Sequence, residues 1–156
     1  MTESSLLDRI QSDLAAAMKS RDAETLSTLR MLKAALMEVK TKKPKDATLS
    51  RDEEIEVVQR YVKKRRETID EMRKAGREDK VASEEAEIAV AGRYLPQALS
   101  EAEVLAVVRE AIAQTGAASP RDMGKVIGAV MARVKGRAEG GLVSRLVKET
   151  LAGGAA

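Results

Sequence analysis

Apolar side chains recur every three or four positions along most of the chain, which is the spacing of one face of an α-helix. The first run covers Leu7–Met18 and follows Ser4 and Ser5, either of which can cap a helix. A second run begins after Asp22, another capping residue, and ends before Pro44, which prevents a helix from continuing. The pattern therefore predicts two amphipathic helices before Pro44.

A longer helix is predicted to start at Ser50, because Ser50 and Glu53 have the spacing of a capping box. Its apolar positions lie within Ile55–Met72 and are interrupted by Arg65. An arginine on an apolar face can extend to solvent, pair with a carboxylate or face a ligand, and pairing is the structural explanation that we favour. The helix is expected to end at Ala75–Gly76, since glycine is typical of helix C-termini.

A domain boundary is predicted near the middle of the chain. Asp79 is expected to cap a fourth helix, and Tyr94-Leu95-Pro96 then breaks the helical pattern. A second capping box begins at Ser100, which marks a new start. The sequence therefore predicts an N-terminal helical bundle over residues 1–95 and a C-terminal helical domain over residues 96–156.

Three helices are predicted in the C-terminal domain. The first has its apolar positions within Val104–Ile112 and ends at Thr115–Gly116. The second follows Ser119–Pro120, with proline at the first helical position, and the third follows Gly140–Gly141. The second carries Gly124 and Gly128 on one face, and each glycine costs about 1 kcal/mol relative to alanine in a helix interior. The pair therefore predicts close packing of another backbone. With no strand pattern in the chain, the expected fold class is all-α.

The composition excludes several classes of enzyme and cofactor site. The 156 residues contain no Cys, His, Trp or Phe. This excludes Ser-His-Asp triads, thiol nucleophiles, structural zinc sites of Cys and His, and iron–sulfur clusters. We assign no catalytic residue, metal ligand or cofactor. The sequence shows neither a signal-peptide pattern nor an 18-residue apolar run, so a cytoplasmic location is expected and no membrane association.

Basic residues are unevenly distributed, although the formal net charge is only +3. They are concentrated in residues 30–45, 60–66 and 121–148. Such clusters are typical of phosphate binding, but lysine and arginine also occupy ordinary solvated helix faces, and acidic neighbours offset the middle cluster. The glutamates within residues 84–87 lack the loop geometry of a Mg²⁺ or Ca²⁺ site and are expected to form a solvated helix face.

Several short motifs occur in an order that resembles the GatB/YqeY family. They are Thr28-Leu29-Arg30-Met31-Leu32-Lys33-Ala34, Lys63-Lys64-Arg65, Ala75-Gly76-Arg77, Tyr94-Leu95-Pro96, Met123-Gly124-Lys125-Val126 and Val134-Lys135-Gly136-Arg137-Ala138. The resemblance extends from about residue 5 to residue 151, and the chain is similar to the stand-alone YqeY type. It implies an all-helical fold similar to the helical and tail region of the B subunit of the glutamine-dependent tRNA amidotransferase, whose tail helps to hold tRNA.

The resemblance also implies candidate site residues. Those expected to contact tRNA are, as a first set, Lys125, Lys135 and Arg137 and, as a second set, Lys63, Arg65 and Arg77. The carbon–nitrogen ligase activity with glutamine as amido-N-donor that is associated with the family belongs to the assembled enzyme. The chain alone is therefore not expected to be an enzyme.

Three functions stay open at this point. The first is a non-catalytic protein that binds tRNA or another structured RNA through phosphate contacts. The second is an accessory factor or subunit of an amide-forming ligase, with amidotransferase subunits as partners. The third is a helical scaffold that binds another protein through Met31 and Met37 of the second helix, although methionines at such positions are more often part of a core.

Overall fold

The computed structural model of the protein describes residues 4–153, and every regular element within this range is a helix. The all-α fold class is therefore confirmed. The elements are α1 (Leu6–Ser20), α2 (Ala23–Thr41), α3 (Arg51–Lys74), α4 (Glu78–Gly92), α5 (Glu101–Thr115), a 3₁₀ helix (Pro120–Asp122), α6 (Met123–Val134) and α7 (Gly140–Ala152). The backbone divides into two compact units, Met1–Leu95 and Pro96–Ala156, here called the N-terminal unit and the C-terminal unit.

The N-terminal unit packs α1 against α2 and α3 against α4, and α2 also contacts α3 and α4. Each helix buries the apolar face that its spacing predicts, because side chains three and four residues apart lie on the same side of a helix. The fully buried side chains of this core are Leu6, Ile10, Leu29, Leu32, Leu36, Val58, Ala91 and Tyr94.

Most of the predicted helix caps in this unit are confirmed. The side chains of Ser5 and Asp22 accept hydrogen bonds from backbone N–H groups in the first turns of α1 and α2, and Ser50 and Glu53 form the predicted capping box. The prediction for Asp79 is wrong. Arg77 is the N-cap of α4, so Asp79 lies inside the first turn, where its carboxylate interacts with the positive end of the helix dipole.

One helix start is capped by a residue of another helix. The backbone N–H of Leu7, in the first turn of α1, donates a hydrogen bond of 3.0 Å to Oε2 of Glu54 on α3. Glu54 is only 3% exposed, so its carboxylate lies among core side chains. A buried charge needs a partner, and here the partner is an N–H group at the positive end of α1.

Removing this carboxylate is expected to destabilise the N-terminal unit. Glu54→Ala leaves the Leu7 N–H without its acceptor, so we expect the free energy of unfolding to fall by about 1–3 kcal/mol. Glu54→Gln keeps an acceptor oxygen and should lose less. Glu56→Ala is the matched control, because Glu56 is exposed and should change stability by less than about 0.5 kcal/mol. Urea unfolding followed by circular dichroism measures all three, and equal losses for Glu54→Ala and Glu56→Ala would contradict the role of the buried carboxylate.

The C-terminal unit is a bundle of α5, α6 and α7 around a core of its own. The fully buried side chains of this core are Val104, Val108, Ala111, Val126, Val130, Val134, Val143 and Val147. The predicted capping box of Ser100 and Glu103 is confirmed, and Gly116 ends α5 with a φ of 69°, which favours glycine.

Two helix starts in this unit differ from the predictions. Pro120 begins a 3₁₀ turn and not α6 itself, and the Ser119 side chain makes no capping hydrogen bond. The carboxylate of Asp122 reaches back instead and accepts a hydrogen bond of 3.1 Å from the Ala118 N–H. The last helix includes Gly140 and Gly141 in its first turn and does not begin after them.

None of the helices within residues 4–153 has the length and apolar character that a membrane span requires.

Candidate nucleic-acid interface

The glycine pair of α6 lies on an open face of the helix. A Cβ atom built on Gly124 or Gly128 would meet no atom within 4 Å other than the helix's own backbone and chain neighbours. The predicted close approach of another backbone is therefore not made within residues 4–153. Helical spacing continues this face through Ala132 to Lys135, and all four residues are exposed. We call these residues the glycine face.

Lys125 lies beside the glycine face and carries an uncompensated charge. Its ammonium group donates a hydrogen bond of 3.3 Å to the Thr115 carbonyl at the end of α5. A carbonyl at a helix C-terminus attracts a cation without cancelling its net charge. Lys125 has no carboxylate partner among residues 4–153 and is exposed, so it remains available to an anion.

Arg137 is held in place in the same manner, in the turn after α6. Its Nε donates a hydrogen bond of 3.0 Å to the carbonyl of Gln97, and its own carbonyl accepts one of 2.8 Å from the Leu99 N–H. The turn depends on Gly136, whose φ is 75°. Lys135 precedes this glycine and is exposed. The structure thus places Lys125, Lys135 and Arg137 in one unit, on α6 and the turn that follows it.

Two other cations of the C-terminal unit are neutralised by carboxylates. Arg133 pairs with Glu110 at 2.6 Å, and Arg145 pairs with Glu101 at 2.9 Å and with Glu149 at 3.3 Å. The hydrogen bond with Glu101 is the largest cause of a raised pKa for Arg145. The basic stretch over residues 121–148 is therefore less positive at its surface than its composition suggests.

Arg65 belongs to an ion-pair cluster inside the N-terminal unit. Its Nη1 lies 3.5 Å from Oε2 of Glu84 and its Nε 3.5 Å from Oε2 of Glu87, both on α4. Its guanidinium group also covers the ring of Tyr61, with its carbon 5.0 Å from the ring centre. Pairing with carboxylates is thus the role that the structure shows for the arginine that interrupts the apolar face of α3.

The expectation that the acidic run of α4 is a solvated face is wrong for two of its glutamates. The side chains of Glu84 and Glu87 are only 16% and 21% exposed, because both face α3 and Arg65. Burial, followed by the charge of Glu84, raises the pKa of Glu87. Glu85 is exposed and pairs with Arg73 at 3.1 Å. No group of acidic residues within 4–153 has the arrangement of a metal site.

The remaining members of the second predicted set lie apart from Arg65. Lys63 is exposed on α3, two residues before Arg65, and a step of two residues leads to the opposite side of a helix. Arg77 is exposed before α4 and pairs with Asp79 at 3.3 Å. The structure does not bring Lys63, Arg65 and Arg77 together into one cationic surface.

Comparison with known proteins identifies the family. The sequence model described as Yqey-like protein matches residues 7–151, which is nearly all of the described helices. The chain belongs to the Yqey-like protein family. It is also 32% identical over 154 residues to the Altered inheritance of mitochondria protein 41, mitochondrial, of Pyrenophora tritici-repentis. That alignment covers 96% of this chain and 82% of the relative.

Membership of the Yqey-like family confirms the YqeY part of the resemblance found in the sequence. The family match includes α6 and the turn after it, so the glycine face and the cations beside it are part of the shared domain. The openness of this face is the feature that sequence reasoning missed. The glycine spacing indicated a close approach, but spacing alone does not tell whether the approaching molecule is the same chain or another one.

Proposed function

We propose that this Yqey-like protein binds structured RNA, and tRNA in particular, through phosphate contacts made by its C-terminal unit. The glycine face carries the proposal. Gly128, in the interior of α6, costs about 1 kcal/mol relative to alanine. No packing within the described chain accounts for it or for Gly124 in the first turn. A surface that lets an external backbone approach the helix closely gives them a role.

The charges beside the glycine face suit a phosphate backbone. Lys125 and Arg137 are positioned by carbonyl groups, so each keeps its positive charge while its side chain is held in place. Ordered cations lose less conformational entropy when they bind phosphate than mobile ones do. Lys135, the residue that follows the last turn of α6, is exposed at the far end of the same face.

The mode of recognition follows from what the C-terminal unit lacks. The two aromatic residues of the chain, Tyr61 and Tyr94, both belong to the N-terminal unit. Stacking of unpaired bases on aromatic rings therefore has no side chain to support it here, and contacts to phosphates and to the shape of a folded RNA are expected to dominate. Such binding needs no catalytic group, so we propose a non-catalytic role for the chain alone.

The choice of tRNA rests on the similarity to the tail of the amidotransferase B subunit. The same similarity makes a subunit of an amide-forming ligase the expected protein partner. In that arrangement the Yqey-like chain would hold the RNA while the partner performs the chemistry. Purification of the protein with its partners from its native host, followed by an assay for glutamine-dependent amidation, would test this second role.

The salt dependence of tRNA binding tests the proposed contacts. Removal of each phosphate contact should reduce the slope of log affinity against log salt by about one unit, so the triple variant Lys125→Ala/Lys135→Ala/Arg137→Ala should lose about three. Lys148→Ala removes an exposed cation of α7 and serves as the control for Lys125→Ala, since both change the net charge equally. An unchanged slope in the triple variant, or equal effects of the two single variants, would refute the proposed interface.

Substitution of Gly128 separates binding from stability. Both Gly128→Ala and Gly128→Gln are expected to raise the free energy of unfolding, by up to about 1 kcal/mol, because the position is helical and open. Gly128→Gln should nevertheless weaken tRNA binding about tenfold, since its side chain would occupy the space of the RNA backbone. Ala113→Gln on the exposed side of α5 is the control and should bind as the parent does. Full tRNA affinity in Gly128→Gln would exclude the glycine face as the contact surface.

A further inference from the structure

The N-terminal unit has an open, largely apolar groove between α1 and α2. The groove has a volume of about 720 Å³. Its apolar lining consists of Leu14, Ala15 and Met18 from α1 and Ala34 and Met37 from α2. Met18 is 60% exposed, which makes it the most exposed large apolar side chain among residues 4–153. The groove is thus an open apolar depression on the surface of the N-terminal unit, with Met18 and Met37 in its two walls.

The groove contains Met18 and Met37, whereas the sequence suggested an interaction surface formed by Met31 and Met37. That suggestion placed Met31 and Met37 on one face of α2, but the two are six positions apart and point in different directions. Met31 contacts the hydroxyl group of Tyr61 on α3 through its sulfur atom. Met37 instead lines the groove with Met18, and flexible methionine side chains adapt well to an apolar partner.

Two cations on α2 give the groove a charged edge. Arg30 and Lys33 both line it, and neither has a hydrogen-bond or ion-pair partner in the part of the chain that the structure describes. This distinguishes them from Arg65 and Arg73 of the same unit, which pair with glutamates. An occupant with apolar side chains and an acidic flank would therefore complement both the lining and the edge.

The dimensions of the groove point to a helix as the occupant. Its lining residues lie within residues 11–18 of α1 and 30–37 of α2, so each wall is two turns, or about 10 Å, long. A helix of a partner places apolar side chains at positions i, i+3 or i+4, and i+7 over the same length. A second copy of this chain fits poorly, because a symmetric pair would bring Arg30 and Lys33 of both copies together.

We infer that the groove between α1 and α2 binds an amphipathic helix of another protein, with its apolar side chains against Leu14, Met18 and Met37 and its acidic side chains toward Arg30 and Lys33. This goes beyond the RNA interface, because it lies in the N-terminal unit and recognises a protein of opposite charge. The groove then serves to recruit a partner, independently of what the C-terminal unit binds.

A designed peptide provides the probe. It is a fluorescein-labelled helix of about 16 residues with leucines on one face and glutamates on the flank, compared with the same peptide carrying lysines for the glutamates. Titrated against the full chain, the acidic peptide should bind and shift the NMR methyl signals of Met18 and Met37. The signals of Met123 and Met131, which belong to the C-terminal unit, should not move. Fluorescence anisotropy gives the affinities.

Two alanines of α1 form a matched pair of variants. Ala15 lines the groove and Ala16 does not, and both are exposed. Ala15→Glu should weaken binding of the acidic peptide about tenfold and Ala16→Glu less than about twofold, although they change the net charge equally. Arg30→Glu combined with Lys33→Glu should reverse the preference toward the lysine peptide. Circular dichroism establishes that each variant is folded.

Three results would overturn the inference. They are the absence of methyl shifts at Met18 and Met37 with the acidic peptide, equal weakening by Ala15→Glu and Ala16→Glu, and shifts produced by anionic lipid vesicles in place of the peptide. The last would assign the groove to a lipid surface. None of these measurements involves tRNA, so their outcome is independent of the proposed RNA binding.

Discussion

Tyr94→Ala is expected to lower the free energy of unfolding of the N-terminal unit by about 3–5 kcal/mol, the largest effect of any single change considered. Tyr94 is the largest fully buried side chain among residues 4–153. Its hydroxyl group donates a hydrogen bond to Asp13 of α1, and the guanidinium group of Arg9 lies over its ring, 5.2 Å from the ring centre. Alanine would remove both interactions and leave a cavity in the core.

Tyr94→Phe separates the contribution of the ring from that of the hydroxyl group. The ring remains, so only the hydrogen bond is lost, and the loss should be about 1–2 kcal/mol. Asp13 is exposed and can bind water once the hydroxyl is gone, which limits the cost. Chemical denaturation followed by circular dichroism measures both variants. A loss below about 1 kcal/mol for Tyr94→Ala would contradict the central position of this side chain.

Tyr94 also predicts a dependence of stability on alkaline pH. Burial, followed by the hydrogen bond with Asp13, raises the pKa of Tyr94 well above its usual range. Above about pH 10 the unfolded chain releases this proton and the folded chain keeps it, so the folded chain binds more protons. The contribution of this group to stability is therefore full below pH 10 and declines as the pH rises further. In Tyr94→Phe the part of the stability loss above about pH 10 that comes from Tyr94 should be absent. If the free energy of unfolding of the variant falls with pH as steeply as that of the parent, Tyr94 is not the cause of the loss.

Arg65→Met is expected to lower the free energy of unfolding by about 2–3 kcal/mol. The methionine keeps most of the apolar length but removes the positive charge that Glu84 and Glu87 share. This loss of stability is smaller than that for a fully buried ion pair, because the three side chains are partly exposed and solvent screens their interaction. Lys63→Met on the opposite side of α3 is the matched control, with an expected change of less than about 0.5 kcal/mol.

The loss in Arg65→Met should depend on pH in a defined direction. Burial and the charge of Glu84 raise the pKa of Glu87, and Arg65 lowers it, so removal of Arg65 raises it further. A carboxyl group with a raised folded pKa stabilises the fold below its unfolded pKa, and this contribution declines as the pH rises through the folded pKa. The variant should therefore be least destabilised near pH 4 and more so near about pH 7. Glu87→Gln in the Arg65→Met background should restore part of the stability. A loss that is equal at both pH values would contradict the proposed interaction.

This result also bears on how a binding defect at Arg65 is interpreted. Because Arg65 pairs with two glutamates, any loss of RNA binding in Arg65→Met that follows the loss of stability reports on the fold. Lys63→Met, by contrast, leaves the fold intact and tests a direct contact. Binding measured for both variants at a temperature where both are folded separates the two effects.

The sequence predicted the local features of the fold well, because capping and periodicity depend on residues close together in the chain. The capping boxes at Ser50 and Ser100 and the break at Gly76 are found where the spacing placed them. Asp79 shows the limit of such reasoning. A capping residue type one or two positions from a helix start does not by itself define where that start lies.

Contacts between distant segments could not be predicted in this way. The hydrogen bond from Leu7 to Glu54 joins residues 47 positions apart, and that from Tyr94 to Asp13 joins residues 81 positions apart. Nothing in the residues around Glu54 indicates that a carboxylate is buried there. Such pairs are decided by the tertiary packing of helices, which a single sequence does not specify.

The candidate site was predicted only in part, because contacts between distant segments also determine which of its charges are neutralised. The resemblance to a family selected Lys125, Lys135 and Arg137, and the structure places them on α6 and the turn that follows it. The sequence could not show that Arg133 and Arg145 are neutralised, since their partners Glu110 and Glu101 lie on α5. It also could not show that α1 and α2 leave a groove between them.

The glycine face has a consequence for how relatives of this protein are compared. At Gly124 and Gly128 the outermost atoms are those of the peptide groups, so a bound molecule would meet atoms that every amino acid shares. Lysine-to-arginine exchanges nearby would leave that surface unaltered, whereas one long side chain on it would close it. In an alignment of Yqey-like proteins, a small residue at both positions should therefore be a better indicator of ligand binding than the number of basic residues nearby.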